Sequence, residues 1–137
     1  MSKRIIGLDI GDVRIGVAVS DSSRMIATPC DTVTRLGWGP DVRKILDICG
    51  RYETDELVSG LPYNMDGTEG FQADKVRKFC EQLQAAGLTV FFQDERLTTV
   101  TAEDALLEGN VSREQRKKMV DKIAASLILQ QWLDSQK

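Results

Sequence analysis

Ile5-Ile6-Gly7-Leu8-Asp9-Ile10-Gly11-Asp12-Val13-Arg14-Ile15-Gly16-Val17-Ala18-Val19-Ser20 is the stretch whose reading decides the fold. Residues 3–10 carry a short apolar run suited to a strand. Residues 13–20 alternate, with Val13, Ile15, Val17 and Val19 on one side and Arg14, Gly16, Ala18 and Ser20 on the other. Gly11-Asp12 between the two predicts a tight hairpin. A third strand is expected within 25–34, with Pro29 weakening its centre.

Downstream the period changes. Gly39-Pro40-Asp41 places a proline near a helix start, and Val42, Ile45, Leu46 and Cys49 form an amphipathic stripe that stops near Gly50. Residues 55–60 suit a short strand, and residues 61–68 a loop with Pro62 and Asp66-Gly67 as turn signals. A second helix runs to about Ala86, with Ala73, Val76, Phe79, Cys80 and Leu83 inward and Gly87 as its C-cap. Residues 88–94 make the next strand, and a helix is expected over 99–108. Ser112-x-x-Gln115 reads as a capping box opening the last helix, whose apolar residues run from Val120 to Leu133. The order β-β-β-α-β-α-β-α-α predicts one α/β domain over 1–137: a mixed five-stranded sheet with helices packed on it, an antiparallel three-strand meander and two parallel strands. The crossovers make strand 1 central, with Asp9 at its carboxyl end, where open α/β sheets place their ligand crevice.

Three acids sit on apolar elements. Asp9 ends the first strand, Glu95 follows Leu88–Asp94, and Asp121 shares a helix face with Ala124, Ala125 and Ile128. Burying a carboxylate is costly unless it is paired or holds a metal. Local alternatives exist for each: Asp9 suits a turn before the hairpin, the acids at 94–95 suit the start of a helix capped by Thr98 or Thr99, and Asp121 could pair with Lys117, Lys118 or Lys122. Taken together, Asp9, Glu95 and Asp121 suit Mg2+ or Mn2+, hard cations that take oxygen ligands. Glu95 is expected to end a parallel strand neighbouring strand 1 on the same edge.

The chain has 137 residues, a net charge of −3 and no histidine, so a histidine general base and His-ligated zinc are excluded. Carboxylates holding divalent ions can activate water for phosphodiester hydrolysis without imidazole. The three cysteines are scattered without a C-x-x-C, which argues against a disulfide framework and for the reducing cytoplasm. No apolar run approaches the roughly 18 residues of a membrane span. The mildly acidic balance leaves room for a local basic patch, and Arg113, Arg116, Lys117, Lys118 and Lys122 form one that reads either as a solvated helix face or as phosphate contacts.

Gly7-Leu8-Asp9-Ile10-Gly11 followed by Arg14-Ile15-Gly16-Val17-Ala18-Val19-Ser20-Asp21 resembles the opening motif of the YqgF (RuvX) family. Gly60-Leu61-Pro62-Tyr63-Asn64-Met65-Asp66-Gly67-Thr68 resembles its second motif, Asp94-Glu95-Arg96-Leu97-Thr98-Thr99 its third, and Asp121 with Ala124 and Ala125 its fourth. The resemblance covers the whole chain in order. It implies an RNase H-like fold with helices on both faces of the sheet, akin to Holliday junction resolvases. It also implies Mg2+-dependent nuclease chemistry with Asp9, Glu95 and Asp121 as the acidic set. Members of the family are described as nucleases maturing the 5′ end of pre-16S rRNA and as Holliday junction resolvases. Structured RNA, with ribosomal particles as possible partners, is therefore the leading expectation. A resolvase on four-way DNA junctions and a non-catalytic nucleic-acid-binding factor are the alternatives. Substrate contacts are expected from Arg14, Asn64, Arg96, Arg116, Lys117 and Lys118, in a monomer or a homodimer.

Overall fold

The structure is a computed structural model and describes residues 3–62, 69–94 and 113–136. β1 (Ile6–Ile10) and β2 (Arg14–Ser20) form the expected hairpin. Its turn closes through the Gly11 N–H, which donates to the Arg14 carbonyl at 2.9 Å. Strand pairing runs from Ile10↔Ile15 through Asp9↔Gly16 to Ile6↔Val19. Val13 departs from its expected place beside Ile15: it occupies the turn and is 59% exposed, because the two turn residues leave the strand alternation.

β3 (Ala27–Thr34) returns beside β2 at the sheet edge. Register shifts between Val17↔Asp31 and Ala18↔Pro29, which leaves Cys30 as the extra residue of a bulge. The edge position explains why Pro29 is tolerated, since a proline removes a ladder donor that only an edge strand can spare.

α1 (Trp38–Arg51), β4 (Glu56–Leu61), α2 (Phe71–Ala85) and β5 (Thr89–Asp94) supply two parallel crossovers, and α3 (Arg113–Ser135) closes the chain. The sheet order is β3-β2-β1-β4-β5, with β1 central as expected. The helix expected over 99–108, the loop at 63–68 and the capping Ser112 lie outside the described residues.

The period of two along each strand sorts side chains into two layers. Ile6, Leu8, Ile10, Ile15, Val17, Val19, Leu57 and Leu61 face α1 and α2, where Ile45, Ile48, Val76, Phe79, Cys80 and Leu83 complete the larger core. On the other side Ile5, Ala18 and Val58 pack with Ala125, Ile128, Leu129 and Leu133 of α3. Phe91 and Trp132 extend that second layer, their ring centroids 5.1 Å apart. Cys49 and Cys80 are buried core fillers, and burial pushes both thiols up to about 11, far from nucleophilic range.

Candidate functional site

Asp9 occupies the fourth position of β1, on the side that carries Ile5 and Gly7 and therefore faces α3. Its cross-strand partner is Gly16. A Cβ added at Gly16 would lie 1.9 Å from the Asp121 carbonyl oxygen and 2.3 Å from its carbonyl carbon. The α3 backbone thus rests directly on β2 at the residue opposite Asp9. The strand that Asp121 touches is therefore the one paired directly with Asp9. A second glycine makes the same allowance further along the helix: a Cβ at Gly7 would meet the Leu129 Cβ at 2.7 Å and the Ala125 carbonyl at 3.0 Å. An isolated glycine inside an alternating strand signals close backbone approach.

The face expected from spacing alone is observed: Ala124, Ala125 and Ile128 are fully buried, and Asp121 sits at their boundary. Its carboxylate pairs with Arg14 of β2, whose Nε donates to Oδ2 at 2.6 Å, rather than with the lysines of its own helix. The helix is tied to β3 at two points, Lys118 and Gln130. The Thr32 hydroxyl donates to the Lys118 carbonyl at 2.8 Å, and the Ala27 N–H donates to Gln130 Oε1 at 2.9 Å.

Arg116, Lys117 and Lys118 are exposed on the first turns of α3. Lys117 and Lys118 lie four and three residues before Asp121 and share its side of the helix. Asn64, Glu95 and Arg96 lie outside the described residues. One expectation is corrected. β5, the strand that leads to Glu95, does not neighbour β1, because β4 lies between them. Two strand spacings, roughly 9–10 Å, separate β5 from β1. Both crossovers are parallel, so β1, β4 and β5 still end at one edge.

Sequence reasoning missed a buried brace behind this edge. Asp41 is fully buried in the first turn of α1, accepts the Leu36 N–H at 2.9 Å and pairs with Arg35 Nε at 3.1 Å. Arg35 also donates through Nη1 to the Gly11 carbonyl at 2.9 Å and lies over the Phe79 ring. The pair anchors the turn two residues beyond Asp9. An acid just after a proline in a helix's first turn was the available signal. Asp21, the last residue of the opening motif, organises the β2–β3 connection. It accepts from the Ser23 hydroxyl at 2.6 Å and from the N–H groups of Met25 and Ile26 at 2.7 and 3.1 Å. The Ser23 hydroxyl first, then those backbone donors, hold its carboxyl down at about 2.

Among the described residues no three acidic or cysteine side chains converge as a metal site. Mg2+ is commonly held by one or two carboxylates together with substrate phosphates, and Asp9 and Asp121 are carboxylates carried on a strand pair and a helix in contact. A groove of about 460 Å3 lined by Arg35, Trp38, Lys75 and Lys78 lies beside α1 and α2, not at α3.

Residues 3–135 match the RuvX family, described as Holliday junction resolvase. A Clostridium tetani protein named "Putative pre-16S rRNA nuclease" is 50% identical over 133 residues, covering 96% of each chain. Its Clostridium acetobutylicum namesake is 47% identical, covering 96% of this chain and 98% of the relative. The chain belongs to the RuvX family. Solved structures agree at the level of the fold. Thermus thermophilus RuvC in complex with a Holliday junction substrate superposes on this RuvX chain with a TM-score of 0.60 at 13% identity, covering 98% of this chain and 95% of that one. The fowlpox virus Holliday junction resolvase superposes with a TM-score of 0.57 at 17% identity, covering 96% and 99%. The five-stranded mixed sheet of this RuvX protein is therefore that of the RuvC-like, RNase H-type nucleases.

Proposed function

We propose that this RuvX protein is a divalent-metal-dependent nuclease that hydrolyses phosphodiester bonds in the 5′-end maturation of pre-16S rRNA, acting in the cytoplasm on ribosomal particles. The observation that carries the reading is the contact at Gly16, where the α3 backbone brings Asp121 against the strand paired with Asp9. The rRNA substrate is taken from the names of relatives at about half identity.

In this reading Asp9 and Asp121, with Glu95, hold Mg2+ or Mn2+. The bound ion supplies polarisation of the phosphoryl oxygen and a water nucleophile at neutral pH. Asp9 is held by the central strand and Asp121 by a helix seated on that strand's partner, so the elements that carry the two carboxylates are fixed before substrate arrives. Lys117 and Lys118, exposed beside Asp121, meet backbone phosphates, as do Arg116, Arg14 and Arg96. Asn64 hydrogen-bonds the substrate.

Purified wild type, Asp9→Asn and Asp121→Asn proteins are compared on a pre-16S precursor and on a four-way DNA junction, with EDTA and with restored Mg2+. Wild type is expected to cut the precursor only when Mg2+ is present, and both variants are expected to bind without cutting. Undiminished cleavage by Asp9→Asn sinks the assignment. Preferred cutting of the junction, by a dimer, replaces rRNA with branched DNA as the substrate, as the family description and the RuvC–junction likeness suggest. Tight binding of either substrate without turnover at any metal concentration reduces the protein to a binding factor.

A further inference from the structure

We propose that Arg14 is a positioning residue that holds the Asp121 carboxylate in the ion-free protein and competes with the divalent ion for it. The inference rests on the carboxylate-site reading above and goes beyond it by coupling ion entry to a named residue of the chain.

The pair is short and direct, Nε to Oδ2 at 2.6 Å, with both side chains about one quarter exposed at 24% and 23%. It joins residues 107 positions apart. Lys117 and Lys118 lie four and three residues before Asp121 on α3, the spacings at which helical side chains meet, yet the carboxylate turns to the sheet. The reason is packing. Arg14 and Gly16 project from the same face of β2, and Gly16 is the point where the α3 backbone touches down at Asp121. The separation of the two side-chain bases is therefore set by a strand and a helix in contact, not by a loop. The Asp121 carbonyl against Gly16 fixes where the helix lies, and the guanidinium fixes where the carboxylate points.

That arrangement makes the guanidinium a stand-in cation. Oxygen ligands lie about 2.1 Å from Mg2+. An ion on Asp121 would then sit a few ångströms from Arg14, and like charges at that range repel appreciably even when partly solvated. The guanidinium and the ion thus draw on the same carboxylate, and seating one weakens the other. Arg14 keeps Asp121 over the Asp9 edge before an ion arrives and lowers the affinity with which it is taken up.

The test is isothermal titration of Mn2+ alone into wild type, Arg14→Gln, Arg14→Lys, Lys122→Gln and Asp121→Asn proteins, each first checked for folding by circular dichroism. Arg14→Gln is expected to tighten Mn2+ by about tenfold, the scale of one lost charge-assisted pair. Arg14→Lys, which keeps the charge without the guanidinium fork, is expected to fall between wild type and Arg14→Gln and serves in its place if that variant does not fold. Lys122→Gln removes the same charge next to Asp121 and is expected to leave the affinity within about twofold. Unchanged or weaker binding by Arg14→Gln, or by Arg14→Lys when that variant stands in, overturns the proposal, as does equal tightening by Lys122→Gln, which makes the effect one of net charge. If Asp121→Asn binds Mn2+ as wild type does, the ion does not use Asp121 and the underlying site reading fails with it. If Asp121→Asn loses binding while Arg14→Gln changes nothing, only the role of Arg14 fails.

Discussion

Asp21, Asp41 and Asp121 bring the same carboxylate into three different surroundings. Asp21 lies in an exposed connection and gathers a hydroxyl and two backbone donors. Its carboxyl is held at about 2 in the folded protein, below the ordinary value of about 3.9. A depressed folded value means that the ionised form favours folding. The contribution is complete above about pH 4 and is lost as pH falls through 2. Wild type should therefore exceed Asp21→Asn in urea midpoint at pH 7, and the gap should close between pH 4 and pH 2. A gap that persists at pH 2 removes the ionised carboxylate as its cause. Asp41 differs because it is buried and paired. Asp41→Ala leaves the largely buried Arg35 without its carboxylate partner and is expected to cost about 3 kcal/mol, read from urea unfolding. For Lys117, exposed beside Asp121, Lys117→Ala is expected to weaken RNA binding evenly across sequences. It should also reduce the slope of log affinity against log salt by about 1, measured by fluorescence anisotropy.

Glycines decide how the elements meet. Gly16 admits the α3 backbone, and a methyl there would overlap the Asp121 carbonyl, which cannot move without the helix. Gly16→Ala is expected to destabilise the protein by about 1–3 kcal/mol and to lower cleavage through displacement of Asp121. Gly50 lies near the end of α1 with nothing within 4 Å of an added Cβ. Gly50→Ala is expected to stabilise by about 0.5–1 kcal/mol, because the folded helix is unchanged while the unfolded chain loses freedom. The two substitutions are chemically identical and opposite in sign, and thermal melts of both test the close-contact argument. The hairpin, the α1 and α2 stripes and the apolar face of α3 were all legible as periods of two or 3.6. The bulge at Cys30 was not, because it depends on how β2 and β3 pair rather than on either strand alone.

At the scale of the molecule, one sheet separates two apolar layers, and the candidate site lies on the α3 side. Phe79→Ala in one layer and Leu129→Ala in the other should each cost about 3 kcal/mol. The double variant should be additive within about 0.5 kcal/mol, because the sheet keeps the two sites apart. Marked non-additivity in urea unfolding would show the layers to be coupled through the strands. Helices on both faces of the sheet came with the family resemblance and the central place of β1 with the order of the elements, while strand and helix types and the candidacy of Asp9 and Asp121 were determined by the sequence itself. These last rest on local periodicity or on the mismatch of a charge with an apolar face, both of which neighbouring residues encode. The tertiary structure alone decided that β4 separates β1 from β5, that Gly16 receives α3, that Arg35 and Asp41 brace the Gly11 turn, and that Arg14 takes Asp121 from its helical lysines. The physical reason is common to all four: each is a contact between rigid elements. Its partners are chosen by which surfaces can approach most closely once the layers have packed, and spacing along the chain does not specify that.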